Sequence, residues 1–329
     1  MAVRAITPVP AIDTTTAATG RADTAGATAG AHRRSGGRHS GRGRPNGNVE
    51  LIEVDANGLR FTVRTAGPPK GTPVVLLHGF PQTSWAFRAN LTLLAEAGYR
   101  AVAPDQRGYA VRARPDGVPA YALPHLVDDV LALAETLELG RFHLVGHDWG
   151  GIVGWLLAAS HLDVVQTLTV ISTPCPPLLR AQLGQEPGTD PATRSRYLEM
   201  FRSPGDPERA LVGQGGAGLR AMFAASGLKA PGSEEYVDAM VRPGAMTAAL
   251  NWFRALRPEH VSGLAPVVVP TLAVWSTRDV VLSRSAAEAV HEFAAGRFRF
   301  EVLDGVSHWV PDESPERLGD LLLGHVAAG

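Results

Sequence analysis

The sequence predicts an α/β fold in which helices cover a mostly parallel β-sheet and a helical insertion interrupts the chain. Three observations support this prediction. Strand-like and helix-like segments alternate from about residue 50 to residue 171, as is typical of parallel strands joined by helical crossovers. Between about residues 174 and 258 the pattern consists of helices and loops that carry Met, Trp and Phe, with no clear strand. The alternation resumes near residue 271.

Short apolar runs bounded by turn residues predict the strands. Residues 49–54 and 59–65 are joined by a turn at residues 56–58, and residues 73–77 have the continuous apolar character of a buried strand. The remaining predicted strands are residues 100–103, 142–145, 165–171, 271–275 and 299–303.

Apolar residues at helical spacing predict the helices that connect these strands. Residues 83–97 have this spacing and end at Gly98, a favourable residue at a helix C-terminus. The other predicted helices are residues 121–137, 150–160, about 285–294 and from about 314 onward. The predicted organisation is therefore a core in two parts, residues 49–173 and 259–329, separated by a helical cap at residues 174–258.

Residues 1–48 are expected to form a disordered tail outside the fold. They contain seven arginines against two aspartates, and no Phe, Tyr, Trp or Leu, so they cannot bury enough apolar surface to offset the loss of chain entropy. An arginine-rich, acid-poor segment also fits a transit peptide. Arg33 and Arg34 fit a twin-arginine export signal, but no apolar stretch follows them. We favour a flexible tail, or a translation start assigned too early.

Composition argues against several classes of protein. The 31 basic and 32 acidic residues give a net charge of −1, whereas nucleic-acid binders usually show a basic excess. No stretch approaches the ~18 apolar residues of a membrane span. Cys175 is the single cysteine, which excludes an intrachain disulfide and a cysteine zinc cluster. Without a recognisable export signal, we expect a cytoplasmic location.

The strongest local signal is the sequence Gly-His-Asp-Trp-Gly-Gly at residues 146–151, between a predicted strand and a predicted helix. This is a nucleophile-elbow arrangement with Asp148 where serine is more familiar, and its glycines permit a tight turn. The turn would project the Asp148 carboxylate from the carboxyl end of the sheet, beside the N–H groups of the helix start. Asp148 could instead be an ordinary helix N-cap. The glycine frame favours the nucleophile.

Two further loops supply an acid and a histidine at the same edge of the sheet. Asp279 follows the strand at residues 271–275, and His308 follows the strand at residues 299–303. The order nucleophile, acid, histidine is that of elbow-type hydrolases, so we expect Asp148, Asp279 and His308 to form a catalytic triad. Taken alone, Asp279 fits a solvated loop acid and His308 a structural histidine.

Backbone N–H groups near Asp148 are expected to form an oxyanion hole. His-Gly-Phe-Pro at residues 78–81 follows the third predicted strand. In elbow-type hydrolases an N–H of this loop acts together with the N–H that follows the nucleophile, so we assign Phe80 and Trp149. Trp149, Trp252 and Phe223 are further expected to form an apolar pocket wall.

These motifs make the chain similar to epoxide hydrolases of the α/β-hydrolase fold, from about residue 50 to the end. The matching segments are residues 78–82, residues 105–109 (Asp-Gln-Arg-Gly-Tyr), residues 146–151 and the loops of Asp279 and His308. The resemblance implies that Asp148 attacks an epoxide carbon to form an alkyl ester, and that water activated by His308, which Asp279 orients, hydrolyses this ester to a vicinal diol. It implies a small apolar epoxide as substrate and no metal or organic cofactor. The oligomeric state, monomer or homodimer, is left open.

The resemblance also implies two cap tyrosines that donate protons to the epoxide oxygen. Tyr197 matches the first, whereas Phe253 stands where the second is expected, in the sequence Asn-Trp-Phe-Arg. Losing one donor in a preorganised site costs on the order of 100- to 1000-fold in rate. Either Tyr197 acts alone, another donor such as the Trp252 indole or Tyr236 replaces it, or the substrate is not an ordinary epoxide. Phe253 also suggests an apolar patch suited to a bulky or aryl substrate.

Other functions remain as alternatives. Haloalkane dehalogenases share the Asp-Trp pair but usually carry Asn at the position of Phe80. Haloacid-type relatives carry Arg after the nucleophile, where this chain has Trp149. An esterase is disfavoured because the elbow has no serine. A non-catalytic member of the fold remains open because Phe253 removes a hydroxyl.

Overall fold

The computed structural model describes residues 49–183 and 196–329, and these residues contain one eight-stranded sheet. Its strands are β1 (Glu50–Ala56), β2 (Leu59–Ala66), β3 (Pro73–Leu77), β4 (Arg100–Pro104), β5 (Phe142–His147), β6 (Val165–Ile171), β7 (Thr271–Arg278) and β8 (Phe298–Ser307). Their order across the sheet is β1-β2-β4-β3-β5-β6-β7-β8. The tail predicted at residues 1–48 lies outside the described residues.

The sheet is parallel except at one edge. β1 pairs antiparallel with β2 and β2 pairs antiparallel with β4, whereas the other neighbouring strands are parallel. The antiparallel pairing of β1 with β2 has a local cause, because Asn57 and Gly58 form a two-residue turn with φ angles of 48° and 72° that reverses the chain. The predicted fold class, a mostly parallel sheet flanked by helices, is confirmed.

β7 and β8 extend beyond their predicted ends. They continue to pair past a bulge, where Arg278 lies opposite Ser307. The apolar pattern does not record this extension because Thr277 and Arg278 are polar and exposed. The longer strands deliver the two loops that follow them to the same edge of the sheet.

The α-helices follow the strands as the alternation predicts. They are α1 (Arg88–Glu96), α2 (Leu123–Thr136), α3 (Trp149–Ser160), α4 (Pro176–Gln182), α5 (Arg196–Arg202), α6 (Asp206–Ala225), α7 (Glu234–Met240), α8 (Ala245–Ala255), α9 (Arg284–Glu288), α10 (Val310–Glu313) and α11 (Pro315–Val326). The first residues of the helix predicted at 83–97 form a separate 3₁₀ turn, Ser84–Phe87. We call α4 to α8, which lie between β6 and β7 in the chain, the helical insertion.

Helices cover the sheet in two packed pairs, α1 with α11 and α2 with α3. The central strands β3, β5 and β6 are almost entirely buried, as expected of parallel strands between helical layers. In the insertion, α6 has a kink at residues 213–216, and α8 is buried along most of its length. In residues 49–183 and 196–329, no helix is long and apolar enough to cross a membrane.

Candidate active site

Asp148 lies on a strained turn between β5 and α3. Its backbone has φ 51° and ψ −119°, a conformation that non-glycine residues rarely adopt. The glycines around it are required by close contacts, because a Cβ on Gly150 would lie 2.1 Å from the carbonyl oxygen of Leu77. Within the described part of the chain, the Asp148 side chain makes no capping hydrogen bond to α3. Asp148 therefore occupies the N-cap position of α3 without capping the helix through its side chain.

Two backbone N–H groups lie beside the Asp148 carboxylate. The N–H of Phe80 donates to Oδ1 at 2.9 Å, and the N–H of Trp149, the next residue in the chain, favours the charged form of the carboxylate. The approach of the Phe80 loop is so close that a Cβ on Gly79 would lie 2.4 Å from the Asp148 Cβ. Burial raises the pKa of Asp148 above its ordinary value, although His308 and these N–H groups oppose the shift. The two N–H groups predicted from the sequence thus converge on one carboxylate.

His308 lies between two carboxylates. Its Nδ1 is 3.1 Å from Oδ2 of Asp279, and its Nε2 is 3.8 Å from Oδ2 of Asp148, beyond hydrogen-bond distance. The structure therefore brings the three predicted residues together in the order Asp148, His308, Asp279. With Nδ1–H donating to Asp279, Nε2 of a neutral His308 faces Asp148 with its lone pair free.

Electrostatic shifts fit this arrangement. Burial raises the pKa of the Asp279 carboxyl, but the charge and hydrogen bonds of His308 outweigh burial and hold that pKa below its ordinary value. The N–H groups of Val281 and Leu282 also donate to Asp279 Oδ1, at 2.7 and 2.9 Å. Burial lowers the pKa of His308, but Asp279 and then Asp148 outweigh it, so the net pKa is raised. Asp279 is therefore an ionised, oriented partner for a histidine that readily accepts a proton.

Neighbouring side chains fix the backbone of the loop that carries His308. Burial lowers the pKa of His147 to about 3, so its ring is neutral and Nε2–H donates to the carbonyl oxygen of His308 at 2.9 Å. The hydroxyl of Ser276 donates to the carbonyl oxygen of Ser307 at 2.7 Å. The carboxylate of Glu313 accepts the Ser307 N–H at 2.7 Å. His308 is thus held from both sides of its loop.

A mostly apolar cavity of ≈ 270 Å³ opens above Asp148. Its lining residues are Phe80, Asp148, Trp149, Phe201, Met222, Ala225, Ser226, Phe253, Val280, Val281, His308 and Trp309. The Phe253 ring lies at the centre of the aromatic wall, with its centroid 5.0 Å from those of Phe80 and Phe201 and 4.9 Å from that of Trp149. Val280 and Val281 are 56% and 45% exposed, so the cavity reaches solvent beside the Asp279 loop.

Two of the predicted pocket residues lie behind the cavity wall. Trp252 and Phe223 are not among the described lining residues. Trp252 packs against Trp149, and its indole N–H donates to the carbonyl oxygen of Arg107 at 2.9 Å. Phe223 packs against Trp309, with ring centroids 4.9 Å apart. Helical spacing places these aromatic residues in the insertion, but only packing decides which ring faces the cavity.

The structure also places the candidate proton donors. The indole N–H of Trp252 is already donated to a backbone carbonyl, and the hydroxyl of Tyr236 donates to Asp312 Oδ2 at 2.8 Å. Neither group is free to replace the hydroxyl that Phe253 lacks, contrary to the alternatives considered from the sequence. Tyr197 lies in α5, but its side chain is outside the described part of the structure. Phe201 of the same helix lines the cavity.

Sequence reasoning missed several residues of the site. Phe201, Met222 and Ser226 come from the insertion, where spacing alone gave no signal of orientation. Ser226 accepts a hydrogen bond from the Trp309 indole at 2.9 Å. Trp309 could have been identified, because it directly follows His308.

Most of the chain is similar to known hydrolases. The family model described as the alpha/beta hydrolase family matches residues 74–321. An AB hydrolase superfamily protein, YfhM of Bacillus subtilis, is 33% identical over 84% of this chain and 98% of its own length. Epoxide hydrolase A of Mycobacterium tuberculosis is 32% identical over 82% of this chain and 95% of its own length.

The structural comparison agrees with the sequence comparison. The crystal structure of Epoxide Hydrolase A from Mycobacterium thermoresistibile superimposes with a TM-score of 0.74 at 27% identity, and the match covers 85% of this chain and 98% of that chain. The chain therefore belongs to the alpha/beta hydrolase family, in the group that contains these epoxide hydrolases.

Proposed function

We propose that this protein is an epoxide hydrolase that converts a small apolar epoxide into a vicinal diol through an ester of Asp148. One observation carries the proposal: a carboxylate that accepts the Phe80 N–H and lies beside the Trp149 N–H faces an apolar cavity, with the Nε2 atom of His308 3.8 Å away. A carboxylate in this position is a nucleophile toward carbon, not an ordinary surface acid. The relatives named epoxide hydrolases support the same conclusion.

The first step forms the ester. Oδ2 of Asp148 attacks an epoxide carbon, a new C–O bond forms, and the epoxide C–O bond breaks with its electron pair on the departing oxygen. Oδ1 stays on the Phe80 N–H and becomes the carbonyl oxygen of the ester. The departing oxygen takes a proton, for which we propose the hydroxyl of Tyr197. The aromatic wall around Phe253 favours an apolar or aryl substituent on the epoxide.

The second step hydrolyses the ester. Nε2 of His308 takes a proton from water, and the resulting hydroxide adds to Cγ of Asp148. Negative charge develops on Oδ1, where the N–H groups of Phe80 and Trp149 stabilise it. The tetrahedral intermediate then expels the diol oxygen, which takes the proton back from His308. The proton that remains on the Asp148 carboxyl passes through solvent to the Tyr197 oxygen, so that both groups are regenerated. Asp279 stabilises the imidazolium that forms in between.

Intact-protein mass spectrometry of His308→Gln tests this proposal. Without its base, the variant should form the ester and fail to hydrolyse it, so exposure to mixed epoxides should leave an adduct equal in mass to a whole epoxide. Asp148→Asn is the matched control and should show no adduct. The variant is also exposed to a panel of alkyl halides. An adduct of the halide minus HX with no epoxide adduct would indicate the dehalogenase alternative, and no adduct from either panel would contradict a covalent mechanism.

A further inference from the structure

A buried carboxylate outside the cavity lining joins three segments of the molecule. The side chain of Asp312, in α10, is 2% exposed. Its Oδ1 accepts a hydrogen bond from Nη1 of Arg88 at 2.7 Å. Its Oδ2 accepts one from Nε2 of Gln82 at 2.7 Å and one from the hydroxyl of Tyr236 at 2.8 Å. We call these four residues the Asp312 junction.

Each partner belongs to a different part of the site. Gln82 lies two residues after Phe80, whose N–H holds Asp148, and its N–H closes a turn onto the carbonyl oxygen of Gly79. Asp312 lies four residues after His308 in a short helical turn. Tyr236, which is fully buried, comes from α7 of the insertion. A single carboxylate thus connects the oxyanion loop, the histidine loop and the insertion.

These hydrogen bonds are strong enough to fix the relative positions of the groups that they join. Burial raises the pKa of Asp312, and the bonds from Arg88 and Tyr236 oppose that shift. The donors thus stabilise the charged form of a desolvated carboxylate, where each bond is stronger than an exposed neutral hydrogen bond. Removing one donor leaves the buried Asp312 carboxylate partly unsatisfied. This favours a shift of the Asp312 backbone that brings the carboxylate toward other hydrogen-bond donors. Because α10 begins directly after the His308 loop, such a shift moves the imidazole relative to Asp148.

We propose that Asp312 is a positioning residue that fixes the position of His308 relative to the Phe80 loop. Through its hydroxyl, Tyr236 makes this position depend on the packing of the insertion. The inference rests on the proposed function. Ester formation needs Asp148 and an epoxide in the cavity, whereas ester hydrolysis also needs Nε2 of His308 to aim a water at Cγ. Loosening the junction therefore slows the second step more than the first, since displacements of about 1 Å can cost about 100-fold in rate.

Tyr236→Phe tests the inference with a small change. It removes the hydroxyl, keeps the ring packed against Phe223, and leaves the bonds of Gln82 and Arg88 in place. The matched control is Tyr121→Phe. Tyr121 is also buried, at 2% exposure, but its hydroxyl donates to the carbonyl oxygen of Pro115 outside the junction. Asp312→Asn is the stronger perturbation, because it changes the carboxylate itself. If Asp312→Asn does not fold, Tyr236→Phe still tests the inference.

The measurement is single-turnover rapid quench with intact-mass detection, which resolves free enzyme from ester. For Tyr236→Phe we expect ester hydrolysis to slow about tenfold, ester formation to stay within about twofold, and the ester to accumulate in the steady state. Tyr121→Phe should keep the wild-type partitioning at a comparable melting temperature. Equal slowing of both steps, or accumulation in the control as well, would overturn the inference. If neither wild type nor His308→Gln forms an ester, the proposed function fails instead.

Discussion

Asp279→Asn would reverse the direction of the hydrogen bond at Nδ1 of His308. In the native site, Oδ1 of Asp279 accepts the N–H groups of Val281 and Leu282, so only the amide oxygen of an asparagine can occupy that position. The amide nitrogen must then take the place of Oδ2, 3.1 Å from Nδ1, and donate to it. The proton of a neutral His308 moves to Nε2, the atom that should accept a proton from water.

The expected effect follows from this wrong tautomer. A comparable reversal in a serine protease lowers kcat by about 10⁴, so we expect ester hydrolysis to fall by about 10³ to 10⁴. Ester formation does not use His308 as a base and should change by less than about tenfold. The ester should therefore accumulate in rapid-quench mass spectra of Asp279→Asn.

Asp304→Asn provides the matched control. It is the same chemical change on an exposed carboxylate that accepts the hydroxyl of Thr277 at 2.9 Å and has no contact with His308 among the described interactions. Both steps should keep wild-type rates in this control. If hydrolysis in Asp279→Asn stayed within about tenfold of wild type, the argument that Asp279 sets the tautomer of His308 would be refuted.

Two further predictions follow from the same geometry. In the free enzyme, Asp279 and Asp148 raise the pKa of His308 against the effect of burial, so the imidazole should gain its proton at a pH above the ~6.5 of free histidine, which a pH titration of the His308 ring in the free enzyme measures. A titration midpoint below ~6.5 would contradict this. Phe253→Tyr adds a hydroxyl to the cavity wall and should speed ester formation by up to ~100-fold without changing ester hydrolysis. Unchanged rates in single-turnover assays would mean that the added hydroxyl does not reach the epoxide oxygen.

The fold and the elbow could be predicted because their signals are local. The alternation of apolar segments, the turn at Asn57 and Gly58 and the glycines around Asp148 each specify structure within a few residues of themselves. The bounds of β7 and β8 were less accurate, since pairing between exposed polar residues extends those strands. The catalytic roles of Asp148, Asp279 and His308 stay predictions that the experiments above test.

The cavity wall and the donors could not be assigned from spacing. Aromatic residues in the insertion occupy helical positions, and the pattern gives a similar signal for a ring that lines the cavity, such as Phe201, and for one behind it, such as Phe223. The sequence also does not show that the Trp252 indole and the Tyr236 hydroxyl already donate their protons in hydrogen bonds, because the acceptors lie on distant segments of the chain.

The sequence by itself determined the α/β alternation, the strained turn that presents Asp148 and the chain order of the acid and the histidine. These features depend on backbone sterics and short-range periodicity, which each segment carries within itself. Only the tertiary structure decided that Phe253 centres the aromatic wall, that Trp252 and Phe223 lie behind it and that Asp312 joins the histidine loop to the insertion. Such contacts join residues far apart in the chain, so they exist only after the sheet and the insertion have packed together.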